Sequence, residues 1–151
     1  MPKKATIERA HRAEREGKSA SSQAGEFVRE EIEAIRKGEH GARSTKQAIA
    51  IGLSKARRAG VKLPVPKKGS VPDETREKAK RELAAAEVGE TRRPSRTRSQ
   101  ATLKALKREG RAAASKEALS TQSRTAARKR TSAQKSESAR KAARTRRRRA
   151  K

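Results

Sequence analysis

The chain has 151 residues with 43 Lys and Arg against 17 Asp and Glu, a formal net charge of +26 and a sequence pI near 11.6. Leu, Ile, Val, Phe and Met together fill only 18 positions, the remaining apolar share being Ala, so the chain can bury a small core but not a large one, because ordering a residue costs ~1–2 kcal/mol and Ala returns little buried area. With no Trp, Tyr or Cys and a single Phe, aromatic platforms for stacking bases, disulfides and Cys-based zinc sites are excluded.

Residues 1–20 hold a first helical segment, Ile7 to Glu16, that ends at Gly17 and has Ile7 as its only large apolar residue; a marginal helix is expected there. The second segment, about 22–37, places Ala24, Phe27, Val28, Ile32 and Ile35 three and four apart, one apolar stripe of a helix. Arg36 and Lys37 fill its last turn and Gly38 follows as a C-terminal cap. The third, about 44–59, opens with Ser44-Thr45-Lys46-Gln47, a capping-box pattern, carries Ala48, Ile49, Leu53 and Ala56 on one face, and stops at Gly60 with Val61 placed to close a Schellman cap. The short connection Gly38-Glu39-His40-Gly41-Ala42-Arg43 predicts a helical hairpin over 21–63 that buries Phe27, Val28, Ile32 and Ile35 against Ile49, Leu53 and Ala56. Gly52 lets the two backbones approach, and Ile51 and Val61, which a two-helix core cannot both take, suggest a homodimer through this module.

Residues 64–72 form an extended Pro/Lys linker, since Pro64 and Pro66 remove donors and restrain their neighbours. A short helix over 73–89 begins with Asp73 and Glu74, offers Ala79, Leu83 and Ala86 as a thin apolar face, and ends at Gly89. From 90 to 151 the composition is Ala, Ser, Thr, Gln, Lys and Arg, with only Leu103, Leu106 and Leu119 larger than Ala among the apolar residues. This region is expected to be a largely disordered tail that gains helix when phosphate neutralises it. Charge follows the same division: residues 1–40 carry 9 basic and 8 acidic groups, residues 91–151 carry 22 and 3.

The tail is the main functional signal. Duplex DNA bears one charge per ~1.7 Å, and each phosphate neutralised releases condensed counterion, so a chain with this excess binds nucleic acid largely without regard to sequence. The candidate nucleic-acid-binding residues are Arg92, Arg93, Arg96, Arg98, Lys104, Lys107, Arg108, Arg111, Arg124, Arg128, Lys129, Arg130, Arg140, Lys141, Arg144, Arg146, Arg147, Arg148 and Arg149, with Lys46, Lys55, Arg57 and Arg58 as secondary contacts on the third segment. Arg93-Pro94-Ser95-Arg96 lacks the central Gly-Arg-Pro of a minor-groove hook. A helix-turn-helix over 22–59 is disfavoured by its six-residue joint and acidic first helix. Gly38-Glu39-His40-Gly41 has the letters of the backbone-clamping loop of KH domains, but Glu39 would repel phosphate and two helix caps explain the glycines better. His11 and His40 lie in different segments without metal-ligand spacing, and Glu30, Glu31 and Glu33 read as a solvated helix face, so no catalytic residue, metal or cofactor is expected. No apolar run approaches the ~18 residues that span a bilayer.

Two resemblances accompany this reading. The tail resembles the basic tails of linker histones and of small histone-like bacterial proteins. The run Lys46-Gln47-Ala48-Ile49-Ala50-Ile51, followed by Leu53-Ser54 and Ala56 and preceded by a helix and a Gly-containing loop, resembles a family of short bacterial proteins of unknown function. It implies a bacterial source and a small domain and brings no activity with it. The sequence therefore predicts an all-α protein: a small helical hairpin with further marginal helices and the long tail, not an enzyme, binding DNA nonspecifically in the bacterial cytoplasm as a nucleoid-associated protein. RNA or ribosome association, and a protein adaptor with an electrostatic anchor, are the alternatives.

Overall fold

The computed structural model describes residues 2–89 and 95–149. Helices are the regular elements of the described residues, the rest being turns, irregular connections such as 61–67, and one isolated bridge between Lys68 and Val71. The helices are α1 (Lys4–Arg15), α2 (Ala20–Arg36), α3 (Thr45–Arg58), α4 (Asp73–Glu87), α5 (Arg96–Lys107), α6 (Lys116–Arg128) and α7 (Ser132–Arg149), with a 3₁₀ turn at Ala112–Ala114. They fall into two compact units, Met1–Ser115 and Lys116–Lys151.

The first unit is organised by α2, which packs against α3 on one side and α1 on the other, while α4 packs on α3. Ser19 caps α2 by accepting from the Ser22 amide (3.3 Å), which starts the helix two residues before the expected position. It ends in a Schellman motif: Gly38, at φ +78°, donates to Ile35 O (3.0 Å) and Glu39 N to Ala34 O (3.0 Å). The predicted box at the start of α3 is present, with Ser44 Oγ accepting from Gln47 N (3.2 Å) and Gln47 Oε1 from Arg43 N (2.8 Å). At its far end Val61 N reaches back to Ala56 O (3.1 Å) and the Val61 side chain is buried.

Phe27 and Ala24 are fully buried at the centre of a cluster with Ala10, Ala56, Val61 and Leu63. The marginal first helix is thus a packed element, because Thr6, Ala10 and Ala13 are small enough to lie flat on α2. Val61 fits inside the core of a single chain, which removes part of the reason for a homodimer.

One expectation about α3 is corrected. Its buried positions are Thr45, Ala48, Gly52, Ala56 and Arg57, with Ile49 and Leu53 only half-buried, Leu53 still packed against the core cluster. The reason is the closeness of the crossing: a Cβ on Gly52 would stand 2.6 Å from Val28 Cα. Backbones that near leave no room for Ile or Leu between them, so the small residues face α2.

The disordered tail is also corrected. Residues 96–107, 116–128 and 132–149 are helical, as Ala, Arg, Lys, Gln and Leu all favour helix. Thr131 and Gln134 form a reciprocal capping box at the head of α7, Gln134 N donating to Thr131 Oγ1 (3.3 Å) and Thr131 N to Gln134 Oε1 (3.1 Å). Lys141 pairs with Glu137 one turn away (2.6 Å). Residues 106–115 belong to the first unit and dock on it through the bonds described below.

Two glycines in packed helices should respond oppositely to Ala. Gly52→Ala should destabilise the first unit by about 1–3 kcal/mol through overpacking. Gly25→Ala, at an exposed position in α2 with nothing within 4 Å of the new Cβ, should stabilise it by about 0.5–1 kcal/mol. Urea unfolding of both variants measures the pair of signs.

Candidate nucleic-acid interface

The structure sorts the candidate residues by what they are free to do. Arg96, Arg98, Lys104 and Lys107 lie on α5, with Arg108 and Arg111 in the turn after it, all exposed. Arg124 and Arg128 are exposed on α6, and Lys129 and Arg130 in the connection to α7. Arg130 uses one guanidinium nitrogen on Gln134 O (2.8 Å) and Ser138 Oγ. Arg140, Lys141, Arg144, Arg146, Arg147 and Arg148 are exposed along α7, which ends at Arg149. Arg92 and Arg93 lie outside the described residues.

Helix α7 has no apolar face. Its only apolar residues are alanines, and every residue from Ser132 to Arg148 is exposed. At 100° per residue, Arg140, Lys141, Arg144 and Arg148 fall on one side, Lys135 and Arg146 on the opposite side, and Arg147 between them. A helix that is cationic all round buries nothing of its own and fits no apolar groove.

The secondary contacts divide. Lys46 and Arg58 are exposed, but they stand twelve positions apart along α3, about 18 Å at 1.5 Å per residue. Lys55 and Arg57 are used inside the first unit. The Lys55 ammonium donates to Glu31 Oε2 (2.5 Å), and Glu31 is fully buried, with the His40 ring 3.3 Å from its other oxygen. Arg57, nine-tenths buried, faces Glu82 of α4 at 3.7 Å, where Ser54 also donates to Glu82. Helix α3 is therefore a packing helix with no continuous basic face for reading bases.

The glutamate cluster is corrected in the same way. Glu33 is exposed and pairs with Arg29 (3.1 Å), but Glu30 and Glu31 are buried. Glu30 accepts the Lys3 amide at the head of α1 (3.2 Å), and Glu31 ties α3 and the α2–α3 connection to α2. Only partners beyond the helix's own stripe, Lys3, His40 and Lys55, make those positions tolerable, and sequence periodicity does not show them.

Gly41 is not a cap. Gly38 alone closes α2, and Gly41 is buried under residues 109–110, where a Cβ would stand 1.9 Å from Glu109 O. That contact leaves no open loop of the KH kind. The missed element is residues 106–115: Gly41 N donates to Leu106 O (2.9 Å), Ala42 N to Gly110 O (3.1 Å), Thr45 Oγ1 to Ala113 O (2.7 Å) and Arg36 Nε to Ala114 O (2.8 Å). Ala113 and Ala114 are buried by it. The sequence signal for this docking was a second glycine that the cap did not need, and an Ala112-Ala113-Ala114 run with no helix to fill.

The segment from the end of α1 through α2, α3 and the proline arm supplies most of the core, which α1 and residues 106–115 complete. Residues 15–68 match the model of a family of unknown function, DUF6496. The matched stretch is about a third of the chain, and the docked turn and the cationic helices lie outside it. No curated protein and no solved structure matches the chain at a significant level. Among the described residues no helix is long and apolar enough to cross a membrane.

The buried pair gives a direct contrast with the exposed cations. Lys55→Met leaves Glu31 buried without its ammonium and should cost about 3 kcal/mol or more of stability. Arg58→Met, at an exposed site, should stay within about 0.5 kcal/mol of wild type. Thermal or urea unfolding followed by far-UV circular dichroism checks both.

Proposed function

We propose that the protein binds nucleic acid through its phosphates, nonspecifically and chiefly through α6 and α7, and that it acts on DNA as a histone-like coat or compactor in a bacterial nucleoid. The observation that carries this reading is the makeup of the second unit: 14 Lys and Arg against two Asp and Glu in residues 116–151, with an α7 that is exposed on all sides. A basic helix that lies on a membrane needs an apolar face to insert, and α7 has none. Its natural partner is a hydrophilic polyanion that a helix can approach from any side.

Eighteen residues of helix reach about 27 Å, the length of about eight base pairs at 3.4 Å each. Cations on every side of such a helix reach phosphates on both walls of a groove. Arg and Lys used in this way position the protein on the backbone and carry no sequence information. The preformed helix lowers the ordering cost that a disordered tail meets on binding. No catalytic role is assigned to any residue.

Anisotropy titrations of a duplex DNA at several salt concentrations test the reading. With about ten phosphate contacts, the log of the binding constant should fall with log salt at a slope near −9, a loss of about 10⁵ in affinity between 50 and 200 mM. Removal of residues 116–151 leaves the first unit with its own core and docked turn, and should weaken binding by orders of magnitude. Tight binding by the shortened chain would overturn the assignment to α6 and α7. Competition by duplex RNA at equal salt measures the preference between the two nucleic acids.

A further inference from the structure

The docked turn does more than close the first unit. All four bonds that hold it are accepted by its backbone carbonyls, from Leu106, Gly110, Ala113 and Ala114. Its oxygens therefore point at the α2–α3 connection, and the side chains of Lys107, Arg108 and Arg111 stay exposed. From the receiving side come Arg36, Lys37 and Arg43, also exposed. The two sets meet at the junction. The Arg111 side chain lies along Gly38, its guanidinium nitrogen 3.5 Å from where a Cβ would stand; Arg43 is 3.7 Å from Glu109; Arg36 holds Ala114.

Arg36, Arg43 and Arg111 are thus held at the junction, Lys37, Lys107 and Arg108 are exposed close to them along the chain, and the acids on these segments, Glu39 and Glu109, are paired: Glu39 with Lys3 (3.5 Å) and Glu109 with Arg43. The α2 carbonyls that would repel an anion here are closed by the Gly38 and Glu39 amides, and α3 begins beside them with its N-terminal end. Resting on the function proposed above, we infer that this junction is a second, rigid binding face for the phosphodiester backbone of a duplex. An exposed Lys or Arg side chain that nothing holds must be ordered on binding, whereas Arg36, Arg43 and Arg111 already have fixed contacts. The role of the family-matched segment is then to hold part of the basic region in a fixed arrangement.

Gly41 allows a test that changes no charge. The three atoms nearest a Cβ there all belong to the backbone of 109–110, and Gly41 is not at positive φ, so Gly41→Ala should release the turn and leave the helix core folded. The full chain and this variant are titrated against a duplex DNA and a duplex RNA of equal length across salt, with hydrogen exchange at the Gly41 and Ala42 amides reporting the release. Where Gly41→Ala alone leaves those amides protected, Gly41→Ala with Thr45→Val also removes the bond to Ala113.

The released variant should bind about tenfold more weakly, with a salt slope shallower by about two, the loss of two to three fixed phosphate contacts at ~0.9 each. The docked triple variant Arg43→Gln, Arg108→Gln, Arg111→Gln should lose a similar amount. Equal losses on DNA and RNA identify the phosphate backbone as the shared ligand, and a loss on one alone identifies the duplex form the face fits. Unchanged affinity and slope in a released variant, with wild type binding tightly, would overturn this inference and leave the role of α6 and α7 standing. Absence of salt-dependent binding by wild type would instead overturn the function on which it rests.

Discussion

The structure depends on how closely α2 and α3 approach each other. With Val28 against Gly52 there is no space for a side chain between the two backbones, so the face of α3 that meets α2 is Thr45, Ala48, Gly52 and Ala56. That choice leaves Ile49 and Leu53 only half-buried and brings Lys55 within reach of the buried Glu31. It also sets Ala56 and Val61 beside Phe27. A chain with so few large apolar residues obtains a defined core here by pressing backbones together, where a larger protein would use bulky side chains.

Placement of the α2–α3 connection follows from the same crossing. The Schellman cap at Gly38 turns the chain away from α2, His40 lies against Glu31, and Gly41 is left bare for the carbonyls of 106–110. Charge is thereby divided three ways. Some cations are consumed in the core, as with Lys55 and Arg57; some are fixed at the junction, as with Arg43 and Arg111; and the largest group is exposed on α6 and α7. Net charge alone does not separate these groups, although each responds differently to a polyanion. A paired buried cation is costly to remove because its partner is left buried and charged, and an exposed one contributes affinity.

Much of this was legible in the residues. The stripe of Phe27, Ile32 and Ile35, the box at Ser44 and Gln47 and the stops at Gly38 and Gly60 are local signals, and local signals locate α2 and α3 well. What the sequence hid is set by contact between distant segments. Glu31 looks like a solvated residue until His40 and Lys55 stand beside it, and Gly41 looks like a cap until residues 109–110 cover it. The helices after residue 95 were underestimated for another reason: low apolar content argues against a core, but it does not argue against helix in a chain rich in Ala, Arg, Lys and Gln. The capping box at Thr131 and Gln134 was readable and marks the start of α7.

The central claim is that the cations beyond the packed core bind phosphate, and the most direct measurement is to crosslink the protein in its own cells, purify it under denaturing conditions and sequence the nucleic acid that comes with it. The account predicts DNA recovered from across the chromosome without a shared sequence, with recovery falling sharply when residues 116–151 are removed. A protein that comes away without nucleic acid, or that recovers the same amount after that removal, would contradict it.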